Sequence, residues 1–250
     1  MFQKTASHWK LYALALALLF AAIFLAFLAV RTRYERRLRE QIWPTAVLKV
    51  PVFSHTPPGV SPTVMLLGDS RMAQWGLPQL ARWRVVNAGV GGATTGQIRL
   101  LTPGLLAEVR PDAVVLEAGI NDLKFLGLRP EMAPAIVSLA ASNLVAVVNE
   151  CAARHCKVLV LETWPAATPG LVRRLVWNAT IPAAVNQLNE RLQAQDSPER
   201  GIQVVDLFNQ AGLKPEPHLY QDTLHFTPET YTRLTPALEK ELDGVLPAAR

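Results

Sequence analysis

The stretch Thr63-Val64-Met65-Leu66-Leu67-Gly68-Asp69-Ser70 decides the reading of this chain. Five aliphatic or β-branched residues, too few for a helix and with no polar alternation, describe a strand buried on both faces, and Gly-Asp-Ser describes the turn that ends it. The same grammar recurs downstream. Strands are expected over Arg84 to Val86, Ala113 to Glu117, Lys157 to Glu162 and Ile202 to Asp206. Helical patterns fall between them, at Thr95 to Glu108, Pro134 to His155, Ile181 to Gln195 and Pro228 to Leu246. The last carries its own start signal, Thr227 as N-cap before Pro228 at the first helical position.

Strands that alternate with helices imply right-handed βαβ units and a parallel sheet covered on both faces. The expected architecture is therefore a flavodoxin-like three-layer α/β/α sandwich with a five-stranded parallel sheet. Ligands of such sheets bind beyond the carboxyl ends of the strands. Four polar segments fall at that rim: Gly68-Asp69-Ser70, the run NAGVGGATT from Asn87 to Thr95, Gly119-Ile120-Asn121-Asp122, and Asp222-Thr223-Leu224-His225.

Each segment alone is ordinary turn chemistry. Ser70 could simply be the N-cap of a helix over Arg71 to Ala81. Together the four supply a nucleophile and a base with its orienting carboxylate. A serine hydroxyl needs a base to accept its proton. His225 suits that role, because Asp222, three residues earlier in a tight loop, can reach its other ring nitrogen. His8 and His55 lie outside the domain, His155 follows a helix, and His218 has no carboxylate at that spacing. Gly89, Gly91 and Gly92 read as a turn; no Gly-Lys-Ser/Thr follows to make a phosphate loop. Asp69 and Asp122 are expected to accept backbone N–H bonds. No histidine or cysteine cluster points to a metal. Trp75, Phe125 and Trp164 are expected in the core.

From about Thr63 to the C-terminus the chain resembles the SGNH hydrolases, the GDSL-type esterases and lipases. The resemblance implies an acyl-enzyme mechanism without a cofactor, with Ser70, His225 and Asp222 as catalytic residues. It also implies an oxyanion hole made by the Ser70 N–H, the N–H of Gly92 and the Asn121 side-chain amide. Gly92 lies five residues after Asn87, as in the family; a slip of one residue would give Gly91. Where the family usually has Leu after the serine, this chain has Arg71, which is not one of the catalytic groups. Implied substrates are small-molecule, lipid or acylated-glycan esters. Two other readings stay open: an acyl or acetyl transferase using the same triad, and a non-catalytic membrane-tethered binding protein. The last would be signalled by lost catalytic letters, and none is lost.

The charge has a separate origin. Residues 1–40 hold Lys4, Lys10, Arg31, Arg33, Arg36, Arg37 and Arg39 against Glu35 and Glu40, which accounts for the whole net charge of +5. The basic excess therefore flanks a membrane segment, and nucleic acid is not an expected partner. Leu11 to Val30 is apolar throughout, and about 20 residues at a rise of ~1.5 Å match a ~30 Å hydrocarbon core. A cleavable signal peptide is the rival, but Arg31 follows the run at once and no small-x-small site ends it. The expected organisation is a short N-terminal segment (1–10), a transmembrane anchor (11–30), a basic juxtamembrane helix with a proline-rich linker (31–62), and the hydrolase domain (63–250). Five arginines after the span against two lysines before it would keep that domain cytoplasmic, whereas an anchored esterase more commonly suggests export to the periplasm; the side stays open. Cys151 and Cys156 read as buried free thiols.

Overall fold

In the computed structural model the chain divides into two compact units, residues 1–40 and residues 41–250. The structure describes residues 3–44, 54–55 and 62–245. Most of the expected proline-rich linker, residues 45–53 and 56–61, lies outside these.

The first unit is the greater part of one helix, α1 (Gln3–Ile42). Every side chain from Leu11 to Val30 is exposed. The helix carrying this exposed apolar run is long enough, by length and composition, to cross a bilayer. The chain has a second long apolar helix, α5 below, but its side chains serve the core.

The second unit is a six-stranded sheet with strand order β1-β3-β2-β4-β5-β6. Five strands are parallel, as expected: β2 (Thr63–Gly68), β3 (Arg84–Gly89), β4 (Ala113–Glu117), β5 (Lys157–Leu161) and β6 (Ile202–Val205). The sixth, β1 (Ser54–His55), pairs antiparallel with Asn87 and Val86 of β3. It falls where only a linker was expected, because two residues between prolines leave no periodicity to read.

Val64 to Leu67 of β2 and all of β4 are buried. Alternate side chains serve opposite faces. Val64, Leu66, Val85 and Val115 join a core with α2 (Ser70–Trp75), α7 (Leu207–Gln210) and α8 (Pro228–Val245). The other face is covered by α3 (Thr95–Val109), α5 (Ala133–Ala153) and α6 (Thr180–Gln193), with the short α4 (Ile120–Leu123) at the rim. The helix expected over Arg71 to Ala81 is shorter: α2 starts at Ser70 and stops at Gly76, whose φ is +67°. Gly68 is a packing requirement, since a Cβ there would lie 2.1 Å from the Glu117 carbonyl oxygen and 2.5 Å from Met72 Cγ. It lets β2 and β4 end side by side, with α2 folded tightly onto them.

Candidate active site

Ser70 stands at the first position of α2. Asp69 is the N-cap, its carboxylate accepting from the Arg71 N–H at 2.9 Å. The sequence alternative made Ser70 itself the cap; with Asp69 there, the serine hydroxyl is free to point elsewhere. It points to His225, with Nε2 and Oγ 3.0 Å apart. His225 lies in the loop before α8, which starts as its sequence signals, the Thr230 N–H donating to Thr227 Oγ1 at 3.3 Å. His225 Nδ1 donates to Asp222 Oδ2 at 2.7 Å. A carboxylate can only accept, so the ring proton sits on Nδ1 and Nε2 is left to accept from the serine.

Asp222 is fixed in turn by the amides of Leu224 (2.7 Å) and His225 (2.9 Å), both donating to Oδ1. Partial burial, the largest single influence, disfavours the charged carboxylate and pushes its pKa up. The bonds from the His225 ring and the two amides outweigh it and hold the carboxyl at about 2. A carboxyl depressed in this way keeps its stabilising bonds above the ordinary carboxylate range and loses them only as pH falls through about 2. Asp222 therefore stays ionised down through the ordinary carboxylate range. We expect log kcat/KM to fall with a slope of one on the acid limb above about pH 3; a slope of two would show that Asp222 is not held ionised.

The second and third segments are bound to each other and to the first. Asn121 is buried, and its Nδ2 donates to the Ala93 carbonyl at 2.9 Å and to Asp69 Oδ2 at 3.2 Å. Both amide hydrogens thus have acceptors. Gly92, next to Ala93, takes the left-handed conformation (φ +75°) in the turn closed by Ala93 N–H to Val90 O at 3.1 Å. Gly91 does not, so the turn pivots at Gly92, where a side chain would be strained. Asn87 holds the end of α2, donating to the carbonyls of Met72 (2.9 Å) and Gly76 (2.6 Å). Asp122 accepts from the Thr95 N–H at 2.9 Å and from Thr95 Oγ1 at 2.7 Å. The two aspartates thus tie loops, as expected.

Arg71 is the residue that sequence reasoning undervalued. It is wholly buried. Its Nη1 donates to the Trp164 carbonyl at 2.6 Å, Nε to Leu224 O at 3.2 Å and Nη2 to Pro165 O at 3.4 Å. Its guanidinium lies 5.7 Å from the centroid of the Phe226 ring, and its own carbonyl accepts from the Tyr231 hydroxyl at 2.8 Å. One side chain therefore braces the loop after β5 against the residue preceding His225. Glu117 Oε1 is 3.5 Å from Nη1, while Glu117 Oε2 has no partner. Burial and the nearby Asp69 push the Glu117 carboxyl up to about 8. Burial raises the Asp69 carboxyl as well, opposed by the Arg71 cation and by the Arg71 N–H that it accepts. The available signal was Glu117 standing alone inside the apolar run Val114 to Ala118, a pattern that requires pairing. Trp75, Phe125 and Trp164 are core, Trp75 and Trp164 with ring centroids 5.7 Å apart.

Beside the triad is a cavity of about 510 Å³, with Ile120, Pro165, Ala166, Trp177, Ile181 and Val185 among its walls. None of the triad residues lines it. Two walls nevertheless continue into the site: Ile120 precedes Asn121, and the Ala167 N–H donates to Thr223 O at 2.9 Å, inside the Asp222–His225 loop.

Comparison with known proteins agrees with this fold. The model of the GDSL-like Lipase/Acylhydrolase family matches residues 54–233. The esterase TesA of Pseudomonas aeruginosa is 36% identical over 114 residues, 40% of this chain and 53% of that protein, so the match spans about half the length of that relative. Among solved structures, a GDSL-like lipase from Bacteroides thetaiotaomicron superposes with a TM-score of 0.58 at 18% identity, over 86% of this chain and 98% of that one. Axe2, an acetylxylan esterase from Geobacillus stearothermophilus, gives 0.55 at 17% identity, over 75% and 96%. At such identities the superpositions speak for the fold.

Proposed function

Since this chain belongs to the GDSL-like lipase/acylhydrolase family, we propose that it is a membrane-anchored serine esterase in which Ser70, His225 and Asp222 form and hydrolyse an acyl-enzyme. The observation that carries this reading is the relay Ser70 Oγ to His225 Nε2 (3.0 Å) and His225 Nδ1 to Asp222 (2.7 Å). Ser70 Oγ attacks the ester carbonyl carbon as its proton passes to His225 Nε2, and Asp222 stabilises the imidazolium. The carbonyl oxygen, now an oxyanion, is received by the N–H groups of Ser70 and Gly92 and by Asn121 Nδ2, which loosens its longer bond to Asp69. Collapse expels the alcohol, protonated by His225. Water, deprotonated by the same nitrogen, then releases the acid and restores Ser70.

The apolar walls of the adjacent cavity favour esters with an aliphatic acyl group. The exposed apolar run of α1 supports an anchor, and the arginines after it favour a cytoplasmic catalytic unit.

Covalent labelling tests these statements together. Spheroplasts of an expressing bacterium are treated with a membrane-impermeant fluorophosphonate before and after permeabilisation, and membranes with ethyl and long-chain alkyl fluorophosphonates. The expected result is labelling only after permeabilisation, faster with the long-chain reagent and absent in Ser70→Ala. Labelling of intact spheroplasts would place the unit outside, and labelling that persists in Ser70→Ala would remove the serine from its role.

A further inference from the structure

Among the large apolar side chains described in residues 41–250, Leu171, Val172 and Leu175 are the most exposed, at 82%, 82% and 67%. They sit together on one turn, and contiguous apolar exposure of that degree marks a contact surface. The turn is a held structure: the N–H groups of Arg174, Leu175 and Val176 donate to the carbonyls of Gly170, Val172 and Arg173 at 3.0–3.2 Å, and Arg174 Nε donates to Pro169 O at 3.1 Å. Beneath it the Arg173 guanidinium lies 5.2 Å from the centroid of the buried Trp177 ring. The apolar tips therefore stand in water over a fixed base.

We propose that this turn, residues 169–176, rests on an anionic lipid surface. Leu171, Val172 and Leu175 enter the boundary between headgroups and acyl chains, and the exposed Arg174 meets the lipid phosphates. Three observations select lipid. The first is charge: from Thr163 to Asn189 the sequence has two arginines and no acidic residue, the apolar-plus-basic composition of interfacial segments. The second is position. Asn178 Nδ2 donates to Leu126 O at 3.1 Å, the Val176 carbonyl abuts Gly127, and neighbouring Phe125 meets the Trp43 ring edge-on at 6.3 Å. Trp43 immediately follows α1 in sequence, so this turn lies on the part of the catalytic unit where the chain enters it. The third is continuity: Pro169, Arg174 and Trp177 also wall the 510 Å³ cavity, which gives an acyl chain a route from a bilayer towards Ser70. A protein partner is disfavoured by size, because three side chains on one turn offer far less than the roughly 800 Å² per partner of a stable interface.

The inference rests on the anchored-esterase reading, and its test separates the two. The full chain bearing Val172→Cys is labelled with an environment-sensitive thiol fluorophore and placed in phosphatidylcholine nanodiscs with or without phosphatidylglycerol. Cys151 and Cys156 are buried, and burial pushes the Cys151 thiol up to about 12, so neither competes for label. The expected result is blue-shifted emission quenched by lipid-borne nitroxides, stronger with phosphatidylglycerol. Emission no more quenched than from a label at Glu199→Cys, in the turn before β6 at the opposite end of the sheet, would overturn the proposal. So would a shift that depends on protein concentration and not on lipid, which would assign the turn to a second copy of the chain. In the second arm, Leu171→Ser/Val172→Ser should lower turnover of a bilayer-borne lysophospholipid about ten-fold and leave a soluble short-chain ester unaffected. An equal loss on both substrates would mean that the turn only supports the fold. If the unaltered chain hydrolyses neither, the esterase reading fails while the fluorescence result still decides lipid contact.

Discussion

Ser70→Ala is expected to lower kcat/KM for a soluble ester by about a million-fold and to leave the melting temperature within a degree or two of the unaltered protein. The size follows from the role. Without Oγ there is no acyl-enzyme, and His225 has no proton to take; what survives is the rate that oxyanion donors and binding alone supply to attack by water. The small stability effect follows from the position. Asp69, and not Ser70, caps α2, so the substitution removes a single hydroxyl with one partner at 3.0 Å. Steady-state hydrolysis and a thermal melt on the same preparation check both halves. Turnover within ten-fold of the unaltered enzyme would remove Ser70 from the mechanism.

Arg71→Leu should be the most damaging single change to the fold around the site, although it installs the residue the family usually carries there. It strips donors from the carbonyls of Trp164, Leu224 and Pro165 and leaves Asp69 and Glu117 buried without their cation. Removing one partner of a buried ionic cluster costs about 3–5 kcal/mol, which for a domain of this size lowers Tm by about 10 °C. Below the new Tm, kcat should still fall by about 10–100-fold, because release of Leu224 shifts the adjacent His225, and KM should rise as well, because Pro165, a wall of the cavity, loses its Arg71 donor. Arg71→Lys separates charge from bracing. It should recover part of the Tm through the retained cation and little of kcat, since one ammonium cannot span three carbonyls. A variant that melts lower yet keeps full kcat would confine Arg71 to the core.

The contrast between these two residues shows what a sequence displays. Ser70, Asp222 and His225 are legible because their chemistry is in the letters and each follows a strand or precedes a helix with clear start signals. The five parallel strands are legible because β2 and β4, buried on both faces, must be continuous apolar runs. Arg71 is hard to read because its partners are main-chain carbonyls from residues more than ninety positions away, and a carbonyl has no letter. The early stop of α2 is set by Gly76 and by the Asn87 side chain that takes the carbonyls of Met72 and Gly76, a contact no helical periodicity foretells. β1 escapes notice for the same reason, since its pairing is supplied by β3.

Ser70 and His225 are 155 positions apart, and the loop that carries His225 is held by α8, the last helix described. A ribosome must therefore deliver the chain at least through α8 before Ser70 meets His225, and the hydroxyl stays unactivated on every shorter nascent chain. Closing so long a loop is also entropically late. Catalytic competence should consequently coincide with the docking of α8, so that a partly synthesised or C-terminally clipped molecule held at a membrane would be an inert one.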